Sequence, residues 1–142
     1  MSYPGIVYVG ARRSKAPPIT LMAPKALLAA SLKPFVLSLL AEGDSYGYEI
    51  VQRVHLLTAG EVQYTTGTLY PVLHDLEASG LLESYWREGE NAPRRKYYRL
   101  TPRGQQALQT ERQHWLRVHA ALAELWGGLG GPVPSGLALN PS

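Results

Sequence analysis

Five cations stand between Asn91 and Arg103: Arg94, Arg95, Lys96, Arg99 and Arg103, with no acid among them. The chemistry such a run offers is anion binding, with nucleic-acid phosphates first. The competing reading is a solvated strand edge whose cations block aggregation. A second cluster is Thr66, Gly67, Thr68, Tyr70, Pro71 and His74. It joins hydroxyl donors, a bare backbone position, a flat ring and an imidazole. Such groups reach phosphates and base edges, and free N–H groups at a helix start can hold a phosphate. Tyr70 as a half-buried core aromatic and His74 as a plain surface residue are the alternatives.

Other chemistries find little to build on. The chain has no cysteine, so there is no disulfide framework, thiolate nucleophile or zinc-finger cluster. None of His55, His74, His114 and His119 forms HExxH, and no carboxylate lies at metal-binding spacing from them. Gly127 to Gly131 has no lysine after it and no strand before it, so it is not a phosphate loop. Neither a catalytic residue, a metal nor a cofactor is expected.

The elements that would position the two clusters follow from period and punctuation. Residues 1–24 hold Arg12, Arg13 and Lys15, four prolines and no sustained period, and read as a disordered tail. Met22 near its end is a second candidate translation start. Residues 25–101 read as a DNA-binding domain. Within it, Ala26 to Ala30 favours helix. Ser31 is placed to cap a helix entered through Lys33 and Pro34 and ended by Gly43. Asp44 or Ser45 caps a second helix, with Tyr48, Val51 or Gln52, and His55 on one stripe and Ile50, Val54 and Leu57 on the next. Gly60 stops it. Thr65 or Thr66 caps a third, whose Leu69, Val72, Leu73 and Leu76 share one apolar face, and Gly80 closes it. The period then changes to two. Leu82 to Arg87 and Arg95 to Leu100 form a hairpin around the loop Gly89–Pro93. Alternation turns Tyr98 and Leu100 inward with Lys96 on their face, and Arg95, Tyr97 and Arg99 outward.

A helix-turn-helix followed by a basic hairpin is a winged helix, a mainly α (α+β) fold. Its third helix enters the major groove, and the wing tracks phosphates or the minor groove. Thr101 then caps a fourth helix over residues 102–126 with Pro102 at its first position, Gly104 being a weak point. Leu108, Glu111, Trp115, Val118, Leu122 and Leu125 recur by threes and fours as a seam. Dimerisation is the expected use, and packing across the first helix the alternative. Trp115 and Trp126, at or beside that seam, either sandwich a planar aromatic effector or simply hold the dimer together. Residues 127–142, rich in glycine and proline, read as a flexible tail.

The net charge of +3 equals that of the first 24 residues alone, and residues 25–90 carry nine acids against four cations. No apolar run spans a bilayer and no secretory signal is visible, which fits a cytoplasmic protein without a membrane partner.

Tyr46-Gly47-Tyr48-Glu49-Ile50, Thr65 through Leu73, Leu76 through Leu82, and Arg94 through Thr101 together resemble the PadR family of bacterial transcriptional regulators. The resemblance covers about residues 32–126. It implies a homodimeric winged-helix DNA-binding protein, usually a repressor, that reads an inverted-repeat operator and is released by a small hydrophobic or aromatic effector. It carries recognition-helix contacts onto Thr66, Gly67, Thr68, Tyr70 and Pro71, and wing contacts onto Arg94, Arg95 and Lys96. The single C-terminal helix matches the compact members. A winged helix used only as a protein-interaction module is the alternative function.

Overall fold

A computed structural model describes residues 23–128. The two tail expectations fall almost wholly outside that range. The elements run α1 (Lys25–Glu42), β1 (Ser45–Tyr46), α2 (Gly47–Leu57), α3 (Thr66–Ala78), β2 (Leu82–Gly89), β3 (Ala92–Leu100) and α4 (Pro102–Gly128). Helices α1 to α3 enclose a core that the antiparallel sheet β1-β3-β2 closes. This is a winged helix-turn-helix.

Helix α1 is continuous, and Ser31 does not cap it. Pro34 sits inside, deleting one backbone hydrogen bond. The helix persists because Leu32, Val36, Leu37, Leu39 and Leu40 are buried on both sides of the proline. Each such side chain contributes about 1.5–3 kcal/mol, enough to outweigh the break. Ser31 Oγ instead donates to Leu28 O at 3.1 Å and meets the Tyr64 hydroxyl at 2.6 Å. That contact ties α1 to the turn before α3.

The second helix also departs from its sequence reading. Ser45 and Tyr46 are strand, so neither Asp44 nor Ser45 is the cap, and Tyr46 occupies that place without a side-chain bond. Pairing with Tyr98 and Tyr97 of β3 draws these two residues out of the helix. The core stripe is Ile50, Val51 and Val54, while Tyr48 and Leu57 are exposed. Thr58 Oγ1 donates to Val54 O at 2.8 Å and accepts Val62 N–H at 3.0 Å, shaping the turn. Ala59 and Gly60 both take positive φ there. In α3, Thr65 is the cap, its Oγ1 accepting Thr68 N–H at 3.1 Å. Leu69, Leu73 and Leu76 are buried, with Val72 partly so. Gly80 adopts φ 81°, the left-handed stop its position requires.

The hairpin is tighter than expected. Gly89 pairs with Ala92, so only Glu90 and Asn91 form the turn, and the strands extend through most of the expected loop. Asn91 takes φ 60° at the second turn position, beside a register irregularity between Arg87 and Gly89. Thr101 caps α4 as expected: its Oγ1 accepts Gly104 N–H at 3.0 Å and donates to Gly80 O at 2.7 Å. Gly104, however, is not a weak point. A Cβ there would lie 2.2 Å from Leu81 O, so glycine is what lets α4 start against the wing.

The seam of α4 divides. Leu108 is buried in the chain's own core, so it does not belong to a surface seam. Trp115 is half-buried against α1, with Glu111 ion-paired to Lys33 at 3.5 Å and accepting Trp115 Nε1–H at 3.1 Å. Val118, Leu122, Leu125 and Trp126 are exposed. Spacing by threes and fours therefore serves intramolecular packing at the start of the helix and an uncovered stripe further on.

Candidate nucleic-acid interface

Burial of Leu69, Leu73 and Leu76 fixes the roll of α3 and turns its other face outward. On that face Gly67, Thr68, Tyr70, Pro71 and His74 are exposed and Thr66 is half-buried. Thr68 Oγ1 is engaged with Thr65 Oγ1 at 3.0 Å, which makes it part of the cap as well as the surface. Thr65 takes up the Thr68 and Leu69 N–H groups, which leaves those of Thr66 and Gly67 without intrahelical acceptors and able to serve an anion. The Tyr70 ring leans over α2. A Cβ on Gly47 would meet its hydroxyl at 2.6 Å and Cζ at 2.8 Å, so the bare Gly47 is its seat. His74 follows one turn on, its ring centroid 6.2 Å from that of Tyr70.

The wing folds back toward this face. A groove of about 400 Å³ separates them, lined by Tyr70 and His74 from α3, Tyr46 from β1, Tyr48 from the first turn of α2, and Trp86, Arg94, Arg95, Lys96 and Tyr98 from the hairpin. Tyr70, His74, Arg94, Arg95 and Lys96 are thus brought together around one cleft. The cleft also contains residues that sequence reasoning missed. Trp86 is exposed, opposite Lys96 in register, and the Arg94 guanidinium lies 4.6 Å over its ring. Period-two alternation would put Trp86 and Ser84 on one face, but the pairing of Trp86 with Lys96 needs the register. Tyr46 and Tyr48 were legible in the Tyr46–Ile50 motif, and Tyr48 on a helix stripe, but not as part of a cleft.

Charge in the cleft is one-sided. Among the described residues the ion pairs are Lys33–Glu111, Arg53–Glu42 and Arg99–Asp44. Arg94, Arg95 and Lys96 therefore have no carboxylate partner there, and their field is open to an anion. The floor is Tyr98, fully buried, whose hydroxyl has no hydrogen-bond partner among the described residues. Burial pushes that hydroxyl above the ordinary tyrosine range, and the nearby Glu77 carboxylate adds to the shift.

Away from the cleft, an apolar groove of about 340 Å³ runs along α1, lined by Pro34, Phe35, Leu39, Leu57 and Trp115 with Ser31, Ser38 and Glu42 at its margins. Trp126 lies eleven residues beyond Trp115, roughly 16 Å along the helix, so one chain does not bring the two indoles together. Among the described residues no group of His, Asp and Glu is arranged to hold a metal, and no helix is long and apolar enough to cross a membrane.

Known proteins point the same way. The model of the transcriptional regulator PadR-like family matches residues 36–110. The chain is 37% identical over 84 residues to the transcriptional regulator Rv3488 of Mycobacterium tuberculosis, covering 59% of this chain and 75% of that one. A transcriptional regulator from Clostridium thermocellum superposes with a TM-score of 0.64 at 32% identity, over 72% of this chain and 97% of the other. A PadR-like transcriptional regulator from Bacillus cereus gives 0.65 at 26% identity, over 76% and 100%.

Proposed function

Since the chain belongs to the PadR-like family of transcriptional regulators and is a DNA-binding regulator, we propose that it works as a homodimeric repressor of an inverted-repeat operator. The observation that carries the contact surface is the cleft in which the polar face of α3 meets three wing cations without carboxylate partners. In this reading Thr66, Gly67, Thr68, Tyr70, Pro71 and His74 enter the major groove. Arg94, Arg95 and Lys96 hold the adjacent phosphates. The exposed stripe Val118, Leu122, Leu125 and Trp126 is the contact with a second copy, and sets two α3 helices roughly 34 Å apart.

The test is a binding titration against genomic fragments selected by the protein, at several salt concentrations. Replacing Arg94, Arg95 and Lys96 together by alanine should weaken binding to every sequence and lower the salt slope by about 0.9 for each phosphate no longer neutralised. Replacing Tyr70 should hit selected DNA harder than random DNA. A wild-type protein that selects no DNA and binds an acidic protein through the wing would instead establish the interaction-module reading.

A small aromatic or hydrophobic effector fits the groove beside Trp115, where Phe35, Leu39 and Leu57 offer apolar area and Glu42 and two serines offer polar ends. Titrating tryptophan fluorescence with planar aromatic compounds tests it. Quenching that Trp115→Ala abolishes supports an effector, and no quenching across a diverse set leaves Trp115 as packing.

A further inference from the structure

The outward face of the wing carries a feature the cleft does not explain. Arg87 and Arg95 are directly opposite in register, the last regular pair before the irregularity at Gly89. Like charges opposite each other on neighbouring strands destabilise a hairpin. Neither guanidinium has a carboxylate partner among the described residues. Instead both lie over tyrosine rings of the same face, the Arg87 Cζ 4.5 Å from the Tyr97 ring centroid and the Arg95 Cζ 4.5 Å from that of Tyr46. The two rings meet edge to face at 5.2 Å. Stacking on a ring leaves the guanidinium edge, with its N–H donors, free, and holds it in place before any ligand arrives.

Charge falls away toward the base of the hairpin. There Arg99 is paired with Asp44 at 3.5 Å, and the Tyr85 hydroxyl donates to the same carboxylate. At the opposite end the hairpin tip bears Glu88 and Glu90, both exposed. Carboxylates at the tip oppose its entry into a groove walled by phosphates. The positive segment is therefore the flank, midway along the hairpin. It is continuous with the cleft, because Tyr46 and Arg95 line both.

We propose that Arg87 and Arg95 form a preset clamp on the outer face of the wing that takes a backbone phosphate of DNA flanking the half-site. The proposal rests on the DNA-binding reading above and adds Arg87 and a second face to it. It also assigns Arg99 no part, since Asp44 already neutralises it.

Two duplexes separate the claims: a selected inverted repeat trimmed to its ends, and the same repeat with ten natural base pairs on each side. Wild type should bind the longer duplex more tightly and with a steeper salt dependence. Arg87→Gln should abolish that gain, lowering the slope on the longer duplex by about 0.9 per protomer, while leaving binding to the trimmed repeat unchanged. Arg87→Lys should keep most of the slope, and Arg99→Gln should behave as wild type on both duplexes. Removing one of two opposed cations should not lower the melting temperature, which separates a weakened grip on phosphate from an unfolded wing. The clamp is overturned if Arg87→Gln retains the full flank-dependent gain, or if Arg99→Gln loses as much. It is also overturned if wild type gains nothing from flanks; when Arg94→Ala and Lys96→Ala still weaken binding to the trimmed repeat, the DNA-binding reading stands without it. Failure of wild type to select any DNA refutes that reading and the clamp with it.

Discussion

The substitution Gly47→Ala separates positioning from stability at the recognition surface. The added Cβ would sit 2.6 Å from the Tyr70 hydroxyl, where ordinary contact begins near 3.4 Å, so the ring tip must retreat by about 0.8 Å. Over a lever of roughly 6.5 Å from Cα to hydroxyl this is a turn of about 7°. A side chain 30° off its rotamer costs about 0.5–1.5 kcal/mol, so a turn this small costs only a fraction of that. Alanine in place of glycine in the first turn of α2 offsets part of it. Net stability should change by less than about 1 kcal/mol. Binding should not be spared. Lengthening a 2.8 Å hydrogen bond by that displacement takes it past the useful range. A hydrogen bond to a base edge is worth about 0.5–1.5 kcal/mol, and its upper bound, taken because a base donor or acceptor is left unmet, gives about tenfold per half-site. For two half-sites the loss is about a hundredfold. The assay is fluorescence anisotropy on operator and random duplexes, beside a thermal melt. Tyr70→Phe should lose a similar amount, and the double variant little more than either. A positioning role for the Gly47 seat is refuted if Gly47→Ala binds operator as wild type does. It is also refuted if the melt drops by more than about 5 °C, which would mean that the helices, not the ring, gave way.

The same substitution at Gly104 should act in the opposite sense. Its Cβ would meet a backbone carbonyl, Leu81 O, that also accepts Thr101 N–H at 3.0 Å. Gly104→Ala should therefore cost about 2–3 kcal/mol by overpacking despite better helix propensity, read as a fall of roughly 10 °C in melting temperature; an unchanged or higher melting temperature contradicts the contact. Tyr98→Phe removes an unpartnered buried hydroxyl and should hold or raise stability by up to about 1 kcal/mol in denaturant melts at neutral pH. The raised pKa of Tyr98, and of Tyr64 through burial, means the unfolded chain loses these protons first. Their contribution is complete below about pH 10 and lost as pH rises above it, and Tyr98→Phe should shrink that alkaline loss. Leu122→Glu should leave the melt of the winged domain intact but lower the mass measured by light scattering if the exposed α4 stripe joins two copies; an unchanged mass would place the contact elsewhere.

What could be read from the sequence was what neighbours in the chain decide. The inward face of α3, the left-handed Gly80 and the Thr101–Pro102 start of α4 rest on local period and capping, and the structure has them. Strand β1 exists only because β3 lies beside it, so Ser45 and Tyr46 looked like a helix cap. Pro34 read as a helix start because its local effect is a break, while the burial that overrides it comes from α2, α3 and the sheet. Gly104 looked weak for the same reason: the atom that demands it is 23 residues away. In α4 the spacing of apolar residues was correct, yet spacing alone does not separate Leu108, in the core, from Leu122, outside it. At the candidate interface the six α3 residues and three wing cations were legible as types. Trp86 and Tyr46, which complete the cleft, depend on cross-strand register.

Helix α4 is held at one end. Lys33, Glu111 and Trp115 grip it against α1, His119 and Ala123 are still partly covered, and the helix runs on for roughly 20 Å past Trp115. Mechanically this is a cantilever. A tilt of about 10° at the grip swings the free end by about 3.5 Å, close to the rise of a single base-pair step. In the proposed dimer, the stiffness of that one junction sets the tolerance with which two reading heads match their spacing on the duplex. Whatever loosens or wedges the grip would shift the register of reading without touching a single residue that meets DNA.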